Sequence, residues 1–267
     1  MRPSKGQARG GKFSTPTDAD QDSLLIVGRH PLVEALRNGR PLTKIWIQGG
    51  VSREGSLREI VRLAREAHIP IVDTPKERLD AMTAGLGAHQ GVVAAGSSHP
   101  ILSLDELLSR FGPYDQPMLL LLDGIQDPHN LGAVLRVAEA AGVGGVIIPE
   151  RGAVGLTPVV DKSSAGAIEY VPVARVINLV RAIETLQAEE FFVFAADPDG
   201  SMRYTQVDWH GRVALVIGSE GNGVRPLIKA RCDGLLSIPM AGRIQSLNAS
   251  TAAAAIVFEM VRQRTQE

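Results

Sequence analysis

The chain has 267 residues, 44% hydrophobic and 21% charged, with a formal net charge of −1 and one cysteine, Cys232. This suits a soluble globular protein with room for two compact domains: no apolar run nears the roughly 20 residues that span a bilayer, and no apolar secretory core stands near the start. A lone cysteine excludes an intrachain disulfide and a cysteine-built metal site, and a near-neutral chain must bind nucleic acid through a local basic patch. The expectation is a cytoplasmic protein with no metal and no membrane contact.

Residues 1–22 are rich in Gly, Ser, Thr and Pro, and Arg2, Lys5, Arg9 and Lys12 precede any acid. They read as a disordered basic tail, either solubilising or a loose electrostatic hold on RNA. Strand patterns at Leu24–Val27, Lys44–Ile47, Ile69–Val72 and Gly91–Ala95 alternate with helical stretches at Gly28–Arg37, Leu57–Ala67 and Lys76–Met82. That alternation predicts a small α/β domain over residues 23–97. Residues 98–116 hold a short helix, Leu104–Ser109, between Ser-, Gly- and Pro-rich flanks and read as a linker.

The apolar run Met118–Leu122, closed by Asp123-Gly124, suits a central parallel strand covered on both faces. A helix is predicted from about Asn130 to Ala141, with Leu131, Val134, Leu135 and Ala138 on one face and Gly142 at its cap. Further strands are predicted at Gly145–Pro149, Tyr170–Val173, Phe191–Ala196, Val213–Ile217 and Leu235–Pro239. Helices are predicted at Pro158–Ala165, Ile177–Ala188, Arg225–Arg231 and Leu247–Arg264. Strict alternation over 117–267 predicts an α/β fold with a mainly parallel sheet and helices on both faces. Four alanines, Ala252–Ala255, make the last helix thin, suited to an interior crossing or a dimer interface.

Three polar, glycine- or asparagine-rich segments follow strands in this half. Asp127-Pro128-His129-Asn130-Leu131-Gly132, with Arg136 beyond, opens a helix; Asn130 is either a cap or a ligand group. Arg136 is either a surface partner of Glu139 or Glu150, or a guanidinium held over a phosphate or ribose. Gly218-Ser219-Glu220-Gly221-Asn222-Gly223 is a tight turn or a ligand loop; Glu220 would repel a phosphate and suits a neutral or cationic ligand. Ser246-Leu247-Asn248-Ala249-Ser250 opens the last helix, where Ser246 or Asn248 can serve as N-cap. No dinucleotide or phosphate-loop spacing, metalloprotease motif or serine-hydrolase elbow is present. Ligands of open α/β sheets sit at the carboxyl ends of strands, so all three segments can reach one site.

Together these residues resemble the SpoU/TrmH family of RNA ribose 2′-O-methyltransferases. The matching motifs are Asp127-Pro-x-Asn130-x-Gly132-x-x-x-Arg136, Ile217-Gly218-Ser219-Glu220-Gly221-x-Gly223, and Ile238-Pro239-Met240-x-Gly242-x-x-x-Ser246-Leu247-Asn248-x-Ser250. In the N-terminal half, Val27-Gly28-Arg29-x-x-x-x-Glu34-Ala35-Leu36 and His89-Gln90-Gly91-Val92 resemble the family's substrate-binding domain. The arrangement is most similar to the RlmB-type branch, which modifies a guanosine of 23S ribosomal RNA.

The resemblance implies a SPOUT catalytic domain with a deep trefoil knot, preceded by an L30e-like substrate-binding domain. It implies S-adenosylmethionine as methyl donor, bound by Gly218, Ile238 and Leu247, with Met240, Gly242 and Glu220 nearby. Asn130, Arg136, Glu220, Ser246 and Asn248 would line the catalytic site, and Arg29, His89 and Arg136 would face RNA. It also implies a homodimer through the catalytic domain, with the active site near the interface. The family assigns the arginine as base, but a guanidinium stays charged at neutral pH, which suits stabilising a 2′-alkoxide equally well. Methylation of transfer RNA, and a non-catalytic RNA-binding module, are the alternatives.

Overall fold

The computed structural model describes residues 24–265 apart from Arg53, Ile244 and Gln245. The tail expected over residues 1–22 lies outside these. The N-terminal unit runs β1 (Leu24–Val27), α1 (Arg29–Arg37), β2 (Leu42–Gln48), α2 (Ser56–Glu66), β3 (Ile71–Thr74), α3 (Lys76–Met82) and β4 (Val92–Gly96). Its four strands lie in the order β1-β4-β2-β3, with β4 antiparallel to both neighbours and β2 parallel to β3. Apolar side chains at helical spacing, Leu32 and Leu36 on α1 and Leu57, Ile60 and Ala64 on α2, cover Ile26, Ile45, Ile47 and Ala94 of the sheet.

A short helix, α4 (Leu104–Leu108), follows, opened by a capping box between Ser103 and Glu106. The C-terminal unit then runs β5 (Met118–Asp123), α5 (Pro128–Ala140), β6 (Gly145–Pro149), α6 (Pro158–Ser163), β7 (Val173–Val176), α7 (Leu179–Ala188), β8 (Phe192–Ala196), β9 (Met202–Arg203), β10 (Val213–Gly218), α8 (Pro226–Lys229), β11 (Gly234–Ser237) and α9 (Ala249–Thr265). All its strand pairs are parallel, in the order β7-β6-β5-β10-β8-β11-β9.

The β5 run is apolar throughout because its side chains alternate between two cores. Leu120 and Leu122 face the core formed with α5 and α9, whereas Leu119 and Leu121 face the core with α4 and α7. The chain leaves β5 toward β6 and β7 on one side and returns through β10 on the other. The β5/β10 boundary is therefore the switch point of the sheet, the place where open α/β sheets take ligands at the carboxyl ends of their strands. Two elements depart from the sequence pattern. The strand expected at Tyr170–Val173 begins only at Val173, because a single 3-10 turn occupies Ala167–Glu169 and Pro172 has no N–H to give the ladder. The two-residue strand β9 carries no readable alternation. Among the described residues, no helix is long and apolar enough to cross a membrane.

Candidate active site

Asp123 ends β5 and Gly218 ends β10, and the two are register partners across the switch point. Downstream of Asp123, the Asp127 side chain accepts from His129 N at 2.9 Å and Pro128 stands at the first helical position. That start buries Asn130 in the first turn of α5. Downstream of Gly218, the chain folds back in a turn closed by Gly223 N donating to Ser219 O at 2.9 Å. The return passes so close that a Cβ on Gly218 would lie 2.0 Å from the Gly223 carbonyl carbon, so no side chain fits there.

Glu220 stands exposed in this turn, and Asn248 caps α9. The Asn248 Oδ1 accepts from Ser250 N at 2.9 Å and from Thr251 N at 3.3 Å. With its oxygen held by the cap, Asn248 points Nδ2 at Asn130 Oδ1, 2.9 Å away, and also at Glu220 Oε1. Asn130 Nδ2 in turn donates to Glu220 Oε1 at 2.9 Å. Three side chains from three distant segments thus form a closed ring of hydrogen bonds near the carboxyl ends of β5 and β10.

The other expected donor-pocket residues lie on the same segments. Ile238, just beyond β11, packs against the core, while Met240 and Leu247 are exposed at 38% and 37%. Gly242 has open space around it, and Ser246 is exposed.

Arg136 is not part of this ring. It lies six residues beyond Asn130 on α5, about 9 Å along the helix and about 120° around it. It is exposed on a cleft of about 500 Å³ between the two units, opposite His30 and Glu34 of α1 and beside Glu139, Ser164 and Tyr170. Neither Glu139 nor Glu150 pairs with it among the described residues. Across the cleft, the Tyr170 hydroxyl donates to Glu34, which raises the tyrosine above its usual range.

The remaining two RNA-facing candidates are linked to each other. His89 is buried; its Nδ1 accepts from Gly91 N at 2.9 Å, so Nε2 carries the proton toward Asp80 Oδ1, also 2.9 Å away. The turn this fixes presents Gln90, whose carbonyl accepts from Arg29 Nε at 2.9 Å and whose Oε1 accepts from Arg29 N at 3.1 Å. His89 therefore shapes the turn that holds Arg29 rather than facing solvent itself.

One pair at the site is not apparent from the motifs. Asp123, 1% exposed, accepts from Arg225 N and from Arg225 Nε, each at 2.8 Å. The two contacts pin the far end of the Gly218–Gly223 turn to β5. The available signal was an aspartate ending an otherwise apolar strand, since a buried carboxylate needs a cation.

A model of the SpoU rRNA Methylase family matches residues 117–258, and one for RNA 2′-O ribose methyltransferase substrate binding matches residues 25–100. A Bacillus subtilis protein, YacO, assigned to the TrmH family of tRNA/rRNA methyltransferases, is 40% identical over 90% of this chain and 95% of its own length. A Staphylococcus saprophyticus protein assigned to the same family is 40% identical over 91% of this chain and 97% of its own. Among solved structures, the SpoU methyltransferase AviRb of Streptomyces viridochromogenes, in complex with AdoMet, superposes with a TM-score of 0.77 at 27% identity. That match covers 92% of each chain.

Proposed function

The chain belongs to the SpoU/TrmH family of RNA 2′-O-ribose methyltransferases, and from that premise we propose that it methylates the ribose of a guanosine in 23S ribosomal RNA in the cytoplasm. The observation that carries the reading is the Asn130–Glu220–Asn248 ring beside the glycine turn at the switch point. The surrounding residues fit S-adenosylmethionine. Backbone groups of a turn whose start, Gly218, admits no side chain, two exposed apolar side chains and one carboxylate suit a nucleoside carrying a cationic chain and no phosphate. In this reading Gly218, Ile238 and Leu247 hold the donor, with Met240 and Gly242 at its edge. When bound, S-adenosylmethionine supplies an electrophilic methyl group on a sulfonium.

The chain's own residues then hold and orient the 2′-hydroxyl. Asn130 and Asn248 are locked by each other and by Glu220, so their amides are set before RNA arrives, which lowers the cost of alignment. Ser246 stands exposed next to Leu247 and can bond the ribose. A guanidinium keeps its proton at neutral pH, so Arg136 stabilises the developing 2′-oxyanion and the adjacent phosphate, and the hydroxyl proton leaves to water. Arg29 contributes phosphate contacts across the cleft. The trefoil knot and pairing of two chains through the C-terminal unit belong to the same reading. The exposed Phe258 on α9 is a surface a second copy would cover, and Arg136 is turned away from its own chain's Asn130.

Transfer RNA is the second reading, favoured by the tRNA/rRNA assignment of the relatives. Incubation with methyl-labelled S-adenosylmethionine separates the two: label should enter large-subunit RNA at a ribose and leave transfer RNA unlabelled. Ribose-methylation maps from a deletion strain and its parent should differ at one guanosine; identical maps would discard the ribosomal target. Arg136→Ala should lower turnover by about 10²–10³-fold, the cost of losing one oxyanion donor, while donor binding persists. Arg136→Lys should not restore it, because an ammonium lacks the planar fork.

A further inference from the structure

Three consecutive residues of α6 reach three different places. Asp161 turns to the N-terminal unit, where its Oδ2 accepts from Arg40 Nη1 at 2.6 Å. Lys162 reaches the same unit at another point, and its Nζ donates to Leu86 O at 3.1 Å and Ala88 O at 2.8 Å. Ser163 turns the opposite way, into α5, where its Oγ donates to Pro128 O at 3.1 Å. That last contact is intimate: a Cβ on Gly132 would fall 1.9 Å from Ser163 Oγ and 2.8 Å from Ser164 N. Gly132 is the residue that lets α6 lie directly on the helical turn carrying Asn130.

Both N-terminal contacts are made to elements suited to sense RNA. Ala88 immediately precedes the His89–Gln90 turn that holds Arg29. Arg40 follows α1, whose residues His30 and Glu34 line the cleft opposite Arg136. The Arg40 cluster is stiff. Its Nη1 also lies 2.7 Å from His99 Nε2 and 3.0 Å from Glu169 Oε1, and its Nε donates to Ser97 O at 2.9 Å. His99, Asp161 and Glu169 would suit a metal ion by spacing, but the guanidinium already takes the cation's place among them.

We propose that α6 couples docking of RNA on the N-terminal unit to the placement of Asn130, with Asp161 and Lys162 as positioning residues that act through Ser163. This rests on the methyltransferase reading above. Six residues of helix packed on both sides move as one body, so a shift of the Arg40 and Ala88 anchors displaces Ser163 and with it the first turn of α5. Among the described residues no hydrogen bond joins α6 to the donor segments after β10 and β11, so Ser163 acts on Asn130 and not on the backbone turn that holds the donor.

The test uses the full chain with ribosomal RNA and the variants Lys162→Met, Ser163→Ala and their double. Lys162→Met keeps the apolar stem and removes only the donor, so the fold should persist, as a thermal melt will register. Each single substitution should lower kcat on RNA by about tenfold, within the range found for residues along a coupled network. S-adenosylmethionine affinity should stay within about twofold, since only contacts remote from the donor pocket change. The double variant should be no slower than the slower single, because both break one chain of contacts. A double variant that multiplies the two effects, or a Lys162→Met that raises KM for RNA with kcat unchanged, would overturn the coupling. Hydrogen exchange supplies a readout free of turnover: RNA should protect the first-turn amides of α5 in the native chain and not in Lys162→Met. Equal protection in both would also sink the idea. If the native chain, assayed beside the variants, transfers no methyl to any RNA, the methyltransferase reading itself fails, an outcome distinct from failure of the coupling.

Discussion

The ring at Asn130 and the cluster at Arg40 are both assembled from side chains far apart in sequence, yet they are built on opposite terms. The ring has one charged member, Glu220, which is exposed, and two amides whose nitrogen and oxygen atoms each have a partner. The Arg40 cluster is ionic and shut away, with the Arg40, Asp161 and Glu169 side chains each no more than 5% exposed. It even leaves Arg40 Nη2 and Asp161 Oδ1 without a partner among the described residues. A group meant to meet a substrate must remain reachable and so contributes little to stability. A group meant to fix two units relative to each other can be buried, where removal of one member costs most. The two clusters should therefore separate stability from rate when mutated.

The largest expected effect on stability is at Arg40. Arg40→Gln leaves Asp161 and Glu169 buried beside each other without their cation, which should cost about 3–5 kcal/mol of unfolding free energy by the behaviour of broken buried pairs. Urea unfolding followed by circular dichroism measures it. A loss below about 1 kcal/mol, the level of an exposed pair, would erase the distinction between the clusters.

Asn248 should show the reverse. Asn248→Ala removes the cap of α9, worth about 1 kcal/mol, and opens the ring, so turnover should fall far more than stability. Asn248→Asp sharpens this. Its carboxylate still accepts from Ser250 and Thr251 N–H groups, so the cap survives, but it cannot donate to Asn130 and it repels Glu220. Unfolding should return to near the native value while turnover stays low. If turnover recovered together with stability, the ring would be no more than a helix cap.

Much of this was readable from the sequence, for reasons that differ by residue. The β5 run could be assigned because a strand buried on both faces has no polar positions. The Asn130, Gly218 and Asn248 segments could be placed at one edge because parallel strands put all their carboxyl ends together. Arg136 could be singled out only through its place in the family motif, since the residue by itself reads as well as a surface partner of Glu139 or Glu150. His89 is expected to face RNA from its place in the family motif, and the two partners of its ring show it instead as a buried turn-maker. The Arg40 cluster left no trace at all. Arg40, His99, Asp161 and Glu169 share no period or motif, and their meeting depends on how two separately folded sheets dock. Contacts of that kind are settled by tertiary geometry, not by local pattern.

The smallest expected effect tests how costly the buried cluster is. Burial is the largest influence on Glu169 and raises its carboxyl above the ordinary range, against the opposing pull of His99 and Arg40. The folded chain thus keeps this proton to higher pH than the unfolded chain does. Stability from the group is complete below the ordinary carboxyl range and is lost as pH rises through the raised value. Glu169→Gln removes the titration and keeps a group that can still accept from Arg40. Over that acidic window, unfolding free energy should decline more steeply with pH for the native chain than for the variant, as urea midpoints at a series of pH values will report. Parallel curves would mean that Arg40 and His99 offset the desolvation of Glu169 in full. In that case the buried cluster would carry no electrostatic penalty, and its contrast with the exposed ring would rest on accessibility alone.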